Sequence, residues 1–254
     1  MSHSSIRRAP PWTLLATEPL RASWEYLAHW AKRTPARQAG AGNHPVVIFP
    51  GLATNGMAMA PLRRHCRALG HPALDWGRGF NTGPTGDVPA WLDELAEHTG
   101  ALLDRTPGRA SLIGWSLGGF YAREVAKRLP DRIRQVITIG TPFNGELSHT
   151  NVEWLFKLLN QSPGMANPLL SGDLRTPPPV PSTAVYSRAD GIVDWDGCRH
   201  ITDVPRHRNV EITGSHIGMG WNSEVMHIIG HRLTEHNDPV RSSRKPSTHM
   251  LRTA

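Results

Sequence analysis

A serine stands between two glycines in Gly114-Trp115-Ser116-Leu117-Gly118, the spacing Gly-x-Ser-x-Gly. A serine hydroxyl is a weak nucleophile at neutral pH, so its use in catalysis needs a base to take its proton and a carboxylate to orient that base. A sharp turn from a strand into a helix lifts such a serine clear of a sheet, and its flanking glycines leave room for neighbouring backbone. Here Ser111-Leu112-Ile113 reads as a buried strand before the motif, and Tyr121, Val125 and Leu129 make a helical stripe after it. That setting gives the five residues a weight they lack alone. A plain helix-capping serine is the simpler alternative.

The partners are sought in a fixed direction, because this kind of turn is served by an acid and then a histidine from loops after later strands. The strand-like Ala184-Val185-Tyr186-Ser187 runs into Asp190, the candidate acid; Asp194 and Asp196 lie deeper in the same loop. A turn aspartate held by local hydrogen bonds is the competing reading of Asp190. The next run, Asn209 to Thr213, ends in Gly214-Ser215-His216-Ile217-Gly218, which makes His216 the candidate base among 14 histidines. His200 and His207 precede that run, and His227 and His231 fall inside a final helical segment. A tetrahedral intermediate needs two backbone N–H donors, expected from Leu117 and from Leu52 in Phe49-Pro50-Gly51-Leu52. Trp115, Trp154 and Phe156 are the candidate substrate-pocket residues. The chemistry calls for no cofactor and no metal. Cys66 and Cys198 sit in differently patterned segments, which argues against a disulfide framework or a thiolate metal site and leaves a single bridge open.

Positioning these residues requires an α/β architecture. Val46 to Phe49, Ser111 to Gly114, Val136 to Gly140, Ala184 to Tyr186 and Val210 to Ile212 read as short buried strands. Helical stripes lie between them, one through Leu62, Cys66 and Leu69 and another through Trp91, Leu92, Leu95 and Leu102. The expectation is a mostly parallel central sheet with helices on both faces. Residues 1–44 form an N-terminal helical extension, 45–238 the main domain with a small cap or lid at about 143–182, and 239–254 a disordered basic tail. In the extension, Leu20, Trp24, Leu27 and Ala31 form an apolar stripe with Tyr26 and Trp30 beside it. That stripe either docks on the core or covers the catalytic edge of the sheet.

The bulk properties narrow the field. A chain of 254 residues with 39% hydrophobic residues and nine Trp suits one globular domain, and no apolar run reaches the 18 residues of a membrane span. Glu18 and Arg21 interrupt what would be the apolar part of a secretion signal, so a cytoplasmic location is expected. The net charge of +7 owes much to the two ends, and no nucleic-acid partner is inferred from it. The aromatic N-terminal helix raises peripheral contact with a lipid surface.

Over about residues 45–235 the chain resembles the α/β-hydrolase superfamily, and within it bacterial esterases and triacylglycerol lipases and the GPI inositol-deacylase. The likeness rests on Val47 to Leu52, Leu112 to Gly119, Ile139 to Phe143, Ser187 to Val193 and Gly214 to Gly218. It implies the same roles for Ser116, Asp190, His216, Leu52 and Leu117, and cleavage of a small-molecule or lipid carboxylic ester through an acyl-enzyme. Relatives commonly carry His-Gly at the oxyanion turn where this chain has Pro50-Gly51. Trp76 to Pro84 also looks like a family feature, without an assigned chemical role. An acyltransferase using the same three residues is the alternative function, and a non-catalytic interaction protein on the same fold is a third.

Overall fold

The computed structural model describes residues 10–31, 44–144, 176–201 and 204–235. In chain order the main elements are α1 (Trp12–Ala31), β1 (Val46–Phe49), α2 (Ala60–Ala68), β2 (Ala73–Asp75), α3 (Val88–Leu103), β3 (Ala110–Trp115), α4 (Leu117–Arg128), β4 (Ile133–Ile139), β5 (Ser182–Tyr186), β6 (His207–Glu211) and α5 (Ser223–Glu235). The six strands form one sheet in the order β2-β1-β3-β4-β5-β6, and every neighbouring pair is parallel. Four strands follow the hydrophobic runs of the sequence, while β6 begins earlier than the run at Val210 to Ile212 and, as an edge strand, is only partly buried. The edge strand β2 spans only three residues, and so short a run carries no periodicity of its own.

Alternation along β1 explains why helices cover both faces. Val47 and Phe49 join a core built with Leu92, Leu95 and Leu103 of α3 and Tyr121 and Val125 of α4. Val46 and Ile48 point the other way, into a core with Leu62 and Cys66 of α2 and Val225, Ile229 and Leu233 of α5. Each fully buried Leu, Ile or Val contributes about 1.5–3 kcal/mol relative to exposure, so the two clusters fix the order and register of the strands. In that register Ile48, Ile113 and Ile137 lie side by side. Because all the strands run the same way, their C-terminal ends share one edge, and the loops leaving β1, β3, β4, β5 and β6 meet there.

Of the two alternatives for the apolar stripe of α1, docking on the core is corrected. That stripe does not dock: Leu20 is 75% exposed, Trp24 72% and Leu27 62%. The opposite face, with Glu18 buried and Arg21 and Glu25 half-buried, packs over the sheet's catalytic edge. Polar pairing decided this, since the loops beneath α1 present backbone N–H groups that need acceptors more than apolar cover. The two cysteines are free and buried. Of the cap at 143–182, residues 145–175 lie outside the described residues, as does the tail 239–254; the part from Ser182 belongs to β5.

Candidate active site

Ser116 links β3 to α4 in a conformation that costs energy, with φ 53° and ψ −122°. Among the described residues only Ser116 and Ala53 are non-glycines at positive φ, and both lie at this edge of the sheet. Such strain costs of order 1–3 kcal/mol and persists only where the surroundings hold it. Here the Ser116 N–H donates to Ile139 O at 2.8 Å, and Thr141 Oγ1 donates to Ser116 O at 2.9 Å. The glycines answer a steric demand: a Cβ on Gly118 would overlap the Phe49 carbonyl, and one on Gly114 the backbone of Gly118. The packing that requires Gly118 also sets the N-terminus of α4 against Phe49 and Pro50 at the end of β1. Neither the Leu117 nor the Leu52 N–H donates to an acceptor among the described residues.

The loops after β5 and β6 supply the other two groups. Asp190 Oδ1 accepts from the N–H groups of Ile192 and Val193, both at 2.8 Å, and its Oδ2 meets His216 Nδ1 at 2.6 Å. Local bonds fix the turn and aim the free oxygen at the imidazole. A carboxylate can only accept, so Nδ1 carries the proton and Nε2 is the nitrogen left for other chemistry. Burial works against a charged His216, but the Asp190 charge, its hydrogen bond and the charge of Glu18 outweigh it and hold the ring above its ordinary 6.5. Ser187 Oγ, donating to Gly214 O at 2.8 Å, ties the two loops together.

The rival residues are engaged elsewhere. Asp194 accepts from Asp196 N, and Asp196 pairs with Arg199. His200 packs on Phe143 and stacks with His207; burial first, then Arg123 and His207, pull its pKa down to about 3. His231 faces Glu235 on the outer part of α5. No group of three or more metal-ligating side chains occurs among the described residues.

A strained serine elbow at the C-terminal edge of a parallel sheet, with an Asp-His pair on the loops of two later strands, is matched by a known family: residues 44–177 fit the alpha/beta hydrolase fold. The chain belongs to that family. Its relatives include the pimeloyl-[acyl-carrier protein] methyl ester esterase of Shewanella woodyi, 31% identical over 97 residues, which is 38% of this chain and 35% of that protein. The enzyme of the same description from Nitrosomonas europaea is 42% identical over 50 residues, 20% of each chain. The matches thus span about a third or less of those relatives. Among solved structures, a Bacillus licheniformis lipase in its mature form superposes with a TM-score of 0.58 at 17% identity, covering 79% of this chain and 96% of that one. A Pyrococcus furiosus esterase gives 0.55 at 18% identity, over 77% and 84%. These likenesses support the alpha/beta hydrolase fold of the chain.

Within this family fold, the candidate pocket residue Trp115 is buried and braces the site from behind. Its Nε1–H donates to His216 O at 3.1 Å, and a Cβ on Gly51 would sit 3.0 Å from its ring. Trp154 and Phe156 lie outside the described residues. Two residues escaped the sequence reading. Asn81, in the Trp76–Pro84 loop, donates through Nδ2 to Pro50 O at 2.9 Å, while its backbone pairs with Ala53 and Thr54 and its Oδ1 accepts from Tyr121 of α4. It braces the turn that carries Leu52. Glu18 of α1 is the other. The spacing 18, 21, 25 is a polar stripe legible in the sequence beside the apolar one.

Proposed function

We propose that this protein is a serine hydrolase that cleaves a carboxylic ester through an acyl-enzyme, with Ser116 as nucleophile, His216 as general base and acid, and Asp190 as the group that orients it. The observation that carries this reading is the 2.6 Å contact of Asp190 Oδ2 with His216 Nδ1 beside the strained Ser116 elbow. In the first half-reaction Ser116 Oγ bonds to the ester carbonyl carbon and passes its proton to His216 Nε2. The resulting oxyanion takes hydrogen bonds from the N–H groups of Leu52 and Leu117. Collapse breaks the bond to the leaving alcohol, which takes the proton from His216. Water then repeats the sequence on the acyl-enzyme, releasing the acid and restoring Ser116. The family membership and the similarity to methyl ester esterases support an ester as the substrate.

A second part of the proposal concerns α1. Its outward face carries Trp12, Leu20, Trp24, Leu27 and Trp30, and no charged residue of the helix is exposed. The first 74 residues contain two acids, Glu18 and Glu25, both turned towards the catalytic loops, against nine Lys and Arg. An uncharged aromatic face in a basic segment fits the surface of an anionic bilayer, beside the site where a lipid ester would enter. No helix among the described residues is long and apolar enough to cross a membrane.

A panel of p-nitrophenyl esters of rising chain length, run on wild type and Ser116→Ala, tests the activity. Hydrolysis that survives unchanged in Ser116→Ala overturns the nucleophile; product appearing only as transfer to an added alcohol makes the protein an acyltransferase. Flotation with anionic vesicles at low salt tests the surface, and failure to co-float removes it.

A further inference from the structure

We propose that Glu18 is a positioning residue of this site: a single buried carboxylate, delivered by α1, that ties the acid loop to the base loop and places a second negative charge behind the imidazole of His216. The inference rests on the serine hydrolase reading above and extends it to a residue more than 90 positions upstream of the motif.

The geometry is dense. Glu18 is 1% exposed, and its Oε1 accepts from Gly191 N at 2.8 Å and His216 N at 3.0 Å. Oε2 accepts from Ile217 N at 3.1 Å. Gly191 follows the acid Asp190 and His216 is the base, so one side chain holds both loops that must bring Oδ2 and Nδ1 together. Arg21 completes the clamp, bonding Glu18 Oε1 at 3.0 Å and Ala189 O at 2.6 Å, on the other side of Asp190. A carboxylate among three backbone donors and a guanidinium is bound by charge-assisted bonds, the stronger kind. Such support matters because errors of about 1 Å in a reacting geometry can cost a hundredfold in rate.

Charge is the second element. The groups facing His216 from the surrounding elements are Asp190 on the loop after β5, Glu18 on α1, and the uncharged Trp115 and Gly140. Glu25, on the same helix, reaches the same loop at Ser215 N and also binds Asn222. The charge of Glu18 helps hold the imidazolium, and its carboxylate holds the N–H of His216 itself, whereas Glu25 binds one residue earlier, at Ser215 N. Glu18 thus joins mechanical and electrostatic roles that Glu25, a docking residue, does not share.

The two carboxylates give the test its contrast. The measurement is the rate of inactivation by a fluorophosphonate as a function of pH, on full-length wild type, Glu18→Gln, Glu25→Gln, Arg21→Gln and Ser116→Ala. Glu18→Gln keeps one acceptor oxygen and loses the charge, so its acid limb should move down by about half a pH unit or more, with a plateau lower by roughly ten- to a hundredfold. Glu25→Gln should keep the wild-type limb. Arg21→Gln leaves Glu18 less compensated and should move the limb up. Folded Glu18→Gln with the wild-type limb and plateau overturns the proposal, as does an equal shift in Glu25→Gln. Should Glu18→Gln fail to fold, Arg21→Gln decides, and an unmoved limb there overturns it. Wild type labelling no faster than Ser116→Ala is a different result: it sinks the hydrolase reading itself, and the role of Glu18 with it.

Discussion

Asp190 and His216 show how far a single contact can be pressed. The Nδ1 proton has one acceptor, Asp190 Oδ2, and that choice leaves Nε2 as the nitrogen without the proton. Asp190→Asn presents an amide that can hold the ring in the opposite tautomer, so kcat on a p-nitrophenyl ester should fall by roughly 10³–10⁴ with the fold retained by circular dichroism. The pH dependence has a definite sign. An imidazolium cannot take the serine proton, so kcat/KM should rise with pH through an apparent pKa above 6.5, because Asp190 and Glu18 overcome burial and raise His216. A limb at or below 6.5 contradicts that assignment. The same raised pKa gives a stability contribution fully present below the unfolded value and lost as pH climbs through the folded one. Denaturant midpoints compared on either side of that window, in wild type and His216→Gln, should reveal it as a pH-dependent difference.

At the scale of elements, the site is a matter of close approach. The turn after β1 and the start of α4 touch through Gly118, with no room for a methyl group against Phe49 O. Gly118→Ala should therefore cost about 3 kcal/mol or more in urea unfolding, or prevent folding, although alanine favours helices elsewhere. Asn81 acts at the same junction by hydrogen bonding. Asn81→Ala strips Pro50 O of its donor and Tyr121 Oη of its acceptor, both buried. A loss of about 1–3 kcal/mol is expected, together with a kcat that falls more than KM rises, since the turn carrying Leu52 loosens. An Asn81→Ala enzyme with wild-type kcat would show that the turn holds its shape unaided.

For the whole molecule, the unusual feature is a helix worn inside out. α1 spends Glu18, Arg21 and Glu25 on the catalytic loops and leaves Trp24 and Leu27 to solvent. Replacing both Trp24 and Leu27 with Ser should change the unfolding free energy by no more than about 0.5 kcal/mol per site, since neither is part of the core. The same double variant should lose vesicle flotation. A large drop in stability instead would mean that the apolar face packs against protein.

By itself the sequence determined the layered fold and singled out Ser116, Asp190 and His216 as candidates, for a physical reason: buried parallel strands are short apolar runs, and the groups at their ends follow in chain order. Ser116, Asp190 and His216 each sit one loop beyond such a run. The three-residue β2 was too short to leave a pattern, and Cys66 and Cys198 could be judged free only once both were located in the core. Tertiary structure alone decided which face of α1 turns inward. Periodicity marks where apolar residues lie on a helix, but it cannot weigh them against unpaired N–H groups on loops almost 200 residues away. Those donors at Gly191, Ser215, His216 and Ile217 drew Glu18 and Glu25 down. In the same way Asn81 gained its role only when the fold set Pro50, Tyr121 and its own loop within hydrogen-bonding distance.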